Sequence, residues 1–396
     1  MYSYIVIISV VGGGGRAGLP LALSLAEIGH KVIIIDKDKD KVNKINTRIM
    51  PFYEKNAEET LRNLSSDELS ATIENKKILE SDVCILIIGT PVNDDGSPST
   101  NILLEVVSEL IKYLESTKLL MLRSTVYPGI TEEISSILLS NGLKTLVSFC
   151  PERLAEGVAL DEIRTLPQII GASEEQAYVL SEEVFKGVTS KLIRTSLKEA
   201  EIGKLFTNTY RYFKFAIANE FFKICVDQEI NWEHVWYSMK EDYPRAKDLP
   251  FPGFAAGPCL VKDTMQLEYF ARDSFQLGNI SIKANEEMPD FIVDFLQAKY
   301  DLRNMTIGIL GMTFKAGVDD FRSSLSFRLE KELNKVAKKV LCSDEMLQKE
   351  GFVSSEEIIS KADLVIIATP HLNYAKLVIK APLVDIWRIN SSKSII

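Results

Sequence analysis

The chain has few of the side chains that most often bind metals or act as catalytic bases. It contains only three histidines and five cysteines: His30, His234, His371, Cys84, Cys150, Cys225, Cys259 and Cys342. No two cysteines have the spacing of a metal site, so no metal is expected, and their odd number and wide separation favour reduced thiols. No histidine is placed as the usual general base of an alcohol dehydrogenase. Any catalysis is therefore expected to use other groups.

An excess of positive charge and long apolar runs are also missing. The formal net charge is −9, with acidic and basic residues mixed along 396 residues, which argues against nucleic acid as a partner. The apolar N-terminus has no preceding Lys or Arg and runs directly into glycines, and no apolar stretch is long enough to span a membrane. These absences predict a cytoplasmic protein with two or three domains and no membrane partner.

A glycine-rich turn between two apolar strands is the clearest motif. The predicted strands cover 4–11 and 31–35, with a helix over 19–28, and the functional positions are Gly13, Gly15, Gly18 and Asp36. The glycines fit GxGxxG, which lets the backbone approach a pyrophosphate at the helix N-terminus. Asp36 would accept hydrogen bonds from ribose hydroxyls and repel a 2′-phosphate, so NAD is favoured over NADP, although three nearby lysines weaken that exclusion. The alternative is a tight turn without a ligand.

Further strands are predicted over 82–88, 118–122 and 146–149. Thr90 and Thr125 follow the first two, at strand ends where an α/β sheet places its ligand contacts. Either threonine could instead be a helix N-cap. Glu152 and Glu156 follow the third strand and would share one face of a helix, if the segment is helical. A solvated acidic face is the ordinary explanation for such a pair.

The middle of the chain is predicted to be helical, over 197–229 and again over about 264–300. In the first helix Lys204, Asn208 and either Arg211 or Tyr212 form one stripe, beside a stripe rich in Phe and Leu. A long apolar helix between two α/β halves could pack against its copy in a dimer. For Lys204 alone, a solvated helix lysine is the commonest alternative.

Between these helices lies the loop PGFAAGPCLVKD, residues 252–263, with a single thiol at Cys259. A nearby cation would lower the pKa of such a thiol and make it a nucleophile. One chemical route would add Cys259 to an aldehyde, remove a hydride and hydrolyse the thioester, with Lys204 and Asn208 as oxyanion donors. The alternative is a loop cysteine buried for packing.

The C-terminal part repeats the N-terminal pattern. ADLVIIATP at 362–370 is similar to SDVCILIIGTP at 81–91, and TIGILG at 306–311 is similar to the first strand. We therefore predict an α/β protein of two doubly wound Rossmann-like domains joined by a long central helical dimerisation segment. The predicted domains are 1–196 for NAD, 197–300 for the central helices and the thiol loop, and 301–396 for a nucleotide. Lys315 stands where a phosphate-approaching glycine would be, which suggests a nucleotide held by a cation.

Taken together, the motifs resemble the UDP-glucose/GDP-mannose dehydrogenase family along nearly the whole chain. The matching segments, in order, are GGGRAGLPLA, IIGTP, STVYPG, PERLAEG, EAEIGKLFTNTYR, GPCLVKD, GMTFKAGVDDFRSS and ATPHLNY. The resemblance implies NAD-dependent, four-electron oxidation of C6 of a UDP-sugar to a uronate, with two NAD consumed per sugar. Such a product serves the synthesis of polysaccharide or glycan precursors. The resemblance also implies a homodimer through the central helix.

The same resemblance assigns roles to individual positions. Cys259 would be the nucleophile, Lys204 and Asn208 would stabilise oxyanions, Asp263 and Thr125 would order the hydrolytic water, and Glu152 would contact substrate or assist proton transfer. The expected NAD-binding positions are Val11, Gly13, Gly15, Gly18, Asp36, Thr90, Thr125, Glu156, Lys262 and Arg322. The expected substrate-binding positions are Glu152, Lys204, Asn208, Phe251, Gly253, Gly257 and Lys315.

Two departures from the family pattern stand out. Pro258 replaces the histidine of the usual GGHC segment, and the C-terminal tail is short, which is expected to reduce contacts to the sugar. STVYPG and IIGTPV resemble members that act on UDP-N-acetylhexosamines more than those that act on UDP-glucose, which stays the alternative substrate.

Two other functions compete: a β-hydroxyacid dehydrogenase, which needs neither Cys259 nor a second α/β unit, and a non-catalytic sensor of NAD or UDP-sugar.

Overall fold

The computed structural model describes residues 5–93, 97, 99, 101–115 and 117–396. The chain divides into two compact units, one extending to Thr207 and the other covering Asn208–Ile396. Each unit has an α/β arrangement around a mainly parallel sheet, so the predicted fold class is confirmed. The finer division at residues 196 and 300 stays a prediction. Residue 4, where the first strand was predicted to begin, lies outside the described residues.

The first unit is built from eight strands and seven α-helices within the described residues. In chain order they are β1 Ile7–Val11, α1 Gly18–Glu27, β2 Lys31–Ile35, α2 Lys39–Asn46, α3 Ala57–Asn63, β3 Leu69–Thr72, β4 Val83–Leu86, α4 Asn101–Leu110, β5 Leu119–Leu122, α5 Ile130–Ser140, β6 Leu146–Phe149, α6 Ala159–Thr165, β7 Gln168–Ala172, α7 Glu175–Phe185 and β8 Leu192–Thr195. Short 3₁₀ turns cover Asn75–Glu80 and Ile111–Tyr113.

The sheet of the first unit has the order β3-β2-β1-β4-β5-β6-β7-β8. Its first six strands are parallel and follow the order typical of dinucleotide-binding folds. The apolar strand β1 is buried almost throughout, as expected for a strand covered by helices on both faces. The sequence interpretation missed β7 and β8, and β7 pairs antiparallel with β6. The carboxyl ends of β1, β4 and β5 lie side by side, which brings their loops together.

The long helix α8 spans Leu197–Asp227 and crosses the division between the units. The second unit continues with α9 Trp232–Lys240, α10 Leu260–Ala271, α11 Leu277–Glu286, α12 Met288–Lys299, β9 Thr306–Leu310, α13 Leu325–Val336, β10 Lys339–Ser343, α14 Ser355–Lys361, β11 Leu364–Ile367 and β12 Leu383–Asp385. Further 3₁₀ turns cover Pro244–Ala246, Arg272–Ser274, Leu302–Asn304 and Leu372–Lys376.

The stretch predicted to be helical over about 264–300 is helical, and it is divided into the three helices α10, α11 and α12. Arg272, just after α10, has φ 50°, a left-handed conformation that ends a helix. Pro289 lies in the first turn of α12, where the missing N–H of proline does no harm. The apolar pattern is helical on both sides of these breaks, so the pattern alone did not reveal them.

The second sheet has the order β10-β9-β11-β12, and all its pairs are parallel. The arrangement β10-β9-β11 matches β2-β1-β4 of the first unit, which confirms the internal repeat. Apolar side chains of α12, α13 and the sheet form the core of this unit, among them Ile292, Leu296, Ile309, Leu329 and Ile366.

Three further features of the described residues concern membrane helices, metal clusters and cysteines. No helix among them is both long and apolar enough to cross a bilayer, and no cluster of His, Cys, Asp and Glu in this part of the chain could hold a metal ion. All five cysteines lie in the described ranges, and none of them is paired in a disulfide. Cys259 is the exposed one, and the other four are buried.

Candidate active site

The glycine turn after β1 is shaped by close backbone contacts. A Cβ added to Gly13 would lie 2.7 Å from the carbonyl oxygen of Val10, and one added to Gly18 would lie 2.7 Å from the Cα of Gly13. Both positions therefore need glycine for packing within the chain. Val11, the last residue of β1, is buried beside this turn.

Gly15 differs from its neighbours. A Cβ added there would meet only the carbonyl oxygen of Gly12, at 3.4 Å, which is ordinary contact. The turn thus leaves open backbone at the second glycine of the motif, where a pyrophosphate would approach. The N-cap of α1 is Ala17, which offers no capping side chain. An anion is a suitable partner for such a helix end, so these residues fit the diphosphate of a dinucleotide.

Asp36 follows β2 and is tied to the same turn. Its Oδ2 accepts a hydrogen bond of 3.0 Å from the Gly14 N–H, and its Oδ1 accepts one of 3.1 Å from the Asp38 N–H. These two bonds fix the carboxylate beside the glycine turn. The side chain remains half-buried rather than enclosed, which suits an acceptor of ribose hydroxyls.

Thr90 and Thr125, which follow two neighbouring strands, lie close together. The hydroxyl of Thr90 donates a 2.7 Å hydrogen bond to the carbonyl oxygen of Thr125. The N-cap interpretation is wrong for Thr125, since α5 begins after Gly129. It is also wrong for Thr90, because α4 begins eleven residues later, at Asn101.

The segment with Glu152 and Glu156 is not helical, so the two carboxylates do not share a helix face. Oε1 of Glu152 instead accepts a hydrogen bond from the Leu154 N–H. The buried carboxylate of Glu54 closes the far end of the segment, accepting from the Gly157 N–H at 2.8 Å and the Ala159 N–H at 2.7 Å. The segment is a loop held by an acid 103 residues before Gly157.

The predicted stripe of α8 is present and buried. Lys204 and Asn208, one turn apart, are each 4 % exposed. The stripe continues to Tyr212, which is fully buried, and not to Arg211, which is exposed. Burial raises the pKa of the Tyr212 hydroxyl, with a further contribution from the charge of Glu286, so this group stays protonated.

The thiol loop and the start of α10 join this stripe. Cys259 is the N-cap residue of α10, and its carbonyl oxygen accepts a 2.9 Å hydrogen bond from the Asp263 N–H. The Asn208 amide donates a 2.6 Å hydrogen bond to Asp263 Oδ2, and Lys262 Nζ lies 2.9 Å from Asp263 Oδ1. The side chain of Asp263 is only 1 % exposed. The result is a buried amide–carboxylate pair, joined by a partly exposed ammonium group, one helical turn from an exposed thiol.

The segment before the thiol is packed under aromatic rings. A Cβ on Gly253 would lie 2.3 Å from the indole of Trp387, and a Cβ on Gly257 would lie 2.5 Å from the ring of Phe314. Gly257 also has φ 104°. Phe251 lies edge-on to Trp236, with ring centroids 5.1 Å apart. Only glycine at 253 and 257 lets the backbone pass this close to the rings.

Lys315 and Arg322, the two cationic site residues predicted in the C-terminal part, lie on the turns after β9. Lys315 is half-buried within residues 311–317. Arg322 pairs with Asp320 through its guanidinium Nε and Nη2, at distances of 2.6 to 3.0 Å. The side chain of Arg322 is 57 % exposed.

Comparison with known proteins gives three adjoining matches to models of one family. Residues 6–189 match the NAD-binding domain of the UDP-glucose/GDP-mannose dehydrogenase family, residues 198–287 its central domain and residues 308–391 its UDP-binding domain. The chain belongs to this family. Its cofactor is accordingly NAD, which accepts hydride in oxidations of this class, and the glycine turn and Asp36 are the residues that fit it.

Individual relatives agree with the family over nearly the full length. A UDP-N-acetyl-D-mannosamine dehydrogenase of Methanocaldococcus jannaschii is 30 % identical, covering 91 % of this chain and 85 % of the relative. A UDP-glucose 6-dehydrogenase of Haloferax volcanii is 28 % identical, covering 92 % and 91 %. A solved UDP-D-ManNAc dehydrogenase of Pyrococcus horikoshii superposes with a TM-score of 0.90 at 26 % identity, covering 98 % and 97 %.

The structure of this family member adds residues that the sequence interpretation missed. The amide of Asn219, three turns after Asn208 on α8, accepts from the Gly253 N–H at 2.8 Å and donates to the Gly253 carbonyl at 3.1 Å. It also donates to Asn285 Oδ1 at 2.9 Å. Asn219 thus fixes the segment that leads to Cys259. Asn219 lies three helical turns after Asn208, on the same face of α8, and this spacing is the feature of the sequence that could have revealed it.

Glu201 has a similar role in the first unit. Its buried carboxylate accepts hydrogen bonds from the Gly129 N–H at 2.7 Å and the Thr131 N–H at 2.8 Å. Burial raises the pKa of Glu201, although the bonds from Thr131 and Gly129 oppose that shift. The carboxylate closes the loop that begins with Thr125.

We expect Asn219→Leu to destabilise the protein, because the N–H and the carbonyl of Gly253 would both lose a buried partner. Each such loss costs about 1–3 kcal/mol. The free energy of unfolding, measured by urea denaturation, should fall by about that amount or more. Glu220→Gln, at the exposed neighbouring position, is the control and should change it by less than about 0.5 kcal/mol. Equal stability of the two variants would contradict the role given to Asn219.

Proposed function

We propose that the protein oxidises the C6 hydroxyl of a UDP-sugar to a carboxylate and releases a UDP-uronate. The observation that carries the proposal is the exposed thiol of Cys259, one helical turn from the buried pair of Asn208 and Asp263. A simple alcohol dehydrogenase has no use for a nucleophile at this place. An enzyme that must continue from aldehyde to acid does.

The overall reaction consumes one water and two NAD for each sugar and releases two NADH. NAD, when bound, accepts one hydride at each of the two oxidations. We assign its binding to Gly13, Gly15, Gly18 and Asp36, whose geometry fits a dinucleotide. Val11, Thr90, Thr125, Glu156, Lys262 and Arg322 complete the proposed set.

Cys259 carries the substrate through the second oxidation. Its thiolate attacks the aldehyde carbon and forms a thiohemiacetal, which becomes a thioester when the hydride leaves. Water then attacks the thioester, the C–S bond breaks and the thiol is restored. The position of Cys259 at the N-terminus of α10 favours the thiolate, because the N-terminal end of a helix is electropositive.

Lys204, Asn208 and Asp263 support the charges that develop. A cation and an amide one turn apart on α8 are suited to stabilise the oxyanions of the thiohemiacetal and of thioester hydrolysis. The Asp263 carboxylate, oriented by the Asn208 amide at 2.6 Å, is suited to order the hydrolytic water together with Thr125. We give Glu152 a role in substrate contact or proton transfer.

The sugar nucleotide is assigned to the second unit's loops and to the buried stripe. Phe251, Gly253 and Gly257 form the close-packed segment before the thiol, and Lys315 supplies a cation for the diphosphate. Lys204, Asn208 and Glu152 contribute to the same substrate. We favour a UDP-N-acetylhexosamine because the matched relatives include UDP-N-acetyl-D-mannosamine dehydrogenases, and UDP-glucose is the alternative.

The chain is also proposed to form a homodimer through α8. Five large apolar side chains on this helix are between 41 % and 57 % exposed: Phe206, Tyr210, Ile217, Phe221 and Ile224. At 100° per residue they share one face, opposite the buried polar stripe. A copy of the same helix offers a surface of matching chemistry and length.

We place the reaction in the cytoplasm, since the thiol must stay reduced to act as a nucleophile. The UDP-uronate would serve as a precursor for polysaccharide or glycan synthesis.

Cys259→Ser is expected to stop the reaction before acid is released. The yield should fall from two NADH per sugar to at most one, and kcat by roughly a hundredfold or more, because the hydroxyl is a much weaker nucleophile. Stopped-flow absorbance of NADH and chromatography of the products measure both. Cys342→Ser, at a buried thiol away from the proposed chemistry, is the control. Continued full turnover of Cys259→Ser would indicate a two-electron β-hydroxyacid dehydrogenase.

The sugar is expected to be identified by NADH release from UDP-glucose, UDP-galactose, UDP-GlcNAc, UDP-ManNAc and UDP-GalNAc. An N-acetylated substrate should give the highest kcat/KM. Activity with UDP-glucose alone would show that the preferred substrate is wrong. No NADH from any of the five would favour the sensor.

Ile217→Glu and Ile224→Glu are each expected to dissociate the dimer, because a carboxylate would be buried without a partner. Sedimentation velocity should change from a mass of two chains to one. Leu372→Glu, at an exposed apolar position of the second unit, is the control and should leave two chains together. A wild-type protein that sediments as one chain would refute the dimer.

A further inference from the structure

The acid that follows the second strand is used differently in the two α/β units. Asp36 follows β2 and accepts from the Gly14 N–H on the turn after β1. Asp344 occupies the equivalent place after β10, and its Oδ2 accepts from the Met312 N–H at 2.6 Å and the Thr313 N–H at 2.9 Å on the turn after β9. The side chain of Asp344 is, however, completely buried. It is enclosed by His371 and is not available to a ribose.

The imidazole of His371 holds both ends of the turn that carries Lys315. Its Nε2 lies 2.9 Å from Thr313 Oγ1 and 3.2 Å from Asp344 Oδ2. Its Nδ1 accepts a 3.3 Å hydrogen bond from the Gly317 N–H. Lys315 lies midway between Thr313 and Gly317, so one ring fixes the backbone on both sides of it.

The hydrogen bonds around the ring fit one tautomer. The Gly317 N–H donates to Nδ1, which matches a ring whose Nε2–H can be donated to Asp344. Burial raises the pKa of Asp344, but the bond and charge of His371 and the backbone N–H bonds outweigh it and leave the pKa lowered. Asp344 is therefore an anion. Glu345 Oε1 lies 3.3 Å from Nδ1, and Tyr374 packs edge-on against the ring.

The same turn also contacts the segment that leads to the thiol. Phe314, next to Lys315, fills the space where a Cβ of Gly257 would lie. The Gly257 N–H in turn donates to the carbonyl oxygen of Ser323 at 3.3 Å. A displacement of the Lys315 turn would thus be felt two residues before Cys259.

We propose that His371 is a positioning residue for the substrate nucleotide, fixing the turn so that Lys315 meets the diphosphate of the UDP-sugar. The imidazole itself touches no substrate and acts through Thr313 and Gly317. This inference rests on the function proposed above for Lys315. It explains why a histidine that performs no proton transfer is completely buried with two neighbouring acids.

The test is a double-mutant cycle on the full-length protein with UDP as the probe. Lys315→Ala, His371→Ala and the double variant are compared with wild type by titration calorimetry. His371→Ala should weaken UDP binding about tenfold in the wild-type background and less than about twofold when Lys315 is already absent. NAD binding should stay within about twofold in all variants, because the glycine turn and Asp36 are on the other unit and the hydrogen bonds of His371 reach neither Lys262 nor Arg322.

A conservative variant separates positioning from simple support of the fold. An Asn side chain places an acceptor near the position of Nδ1, so His371→Asn should keep the Gly317 bond and recover part of the lost UDP affinity. The melting temperature of each variant is measured alongside.

The outcomes separate the role of Lys315 from that of His371. If Lys315→Ala leaves UDP binding unchanged, the role proposed for Lys315 is wrong. If Lys315→Ala weakens UDP binding but His371→Ala does not, the present inference is overturned. It is also overturned if His371→Ala weakens UDP and NAD equally, or if the losses from Lys315→Ala and His371→Ala simply add.

Discussion

Buried backbone N–H groups outside helices and strands need acceptors, and this requirement governs how the site is held. The loops that carry the functional residues lack the regular backbone hydrogen bonds of a helix or a sheet. A buried backbone N–H that is left without an acceptor costs free energy. In each loop a side chain from a distant element supplies the acceptor. Asp36 closes the glycine turn, Glu54 and Glu201 close two loops of the first unit, and Asn219 and Asp344 close two of the second. The geometry of the site therefore depends on a small set of buried acids and amides.

The helix α8 combines two tasks on opposite faces. Its buried face presents Lys204, Asn208 and Asn219, the last of which fixes the loop before Cys259. Its other face presents large apolar side chains. A shift of this helix would move the amide that orients Asp263 and the amide that fixes Gly253 together, because both lie on one rigid element. Association of two chains along the apolar face would therefore also stabilise the polar one.

Much of the fold followed from the sequence, because its signals are local. The apolar run of β2 and the glycine turn each lie within a few consecutive residues, and the repeat of one strand pattern predicted the second sheet. The partners of Asn219 and Asp344 could not be found in this way, since they are backbone atoms 34 and 31 to 32 residues away. Local spacing also left open whether the segment with Glu152 and Glu156 is a helix. Their helical spacing was real, but the carboxylate of Glu54 holds the segment as a loop.

The open backbone at Gly15 has a consequence for the balance between folding and activity. Nothing in the chain itself requires a glycine there, and a glycine loses more conformational entropy on folding than an alanine would, a difference of about 0.4–1 kcal/mol. Selection for stability alone would therefore replace it. With the NAD site proposed here, the protein would give up part of its folding free energy at a single residue so that a phosphate can reach the main chain, a trade between stability and ligand binding.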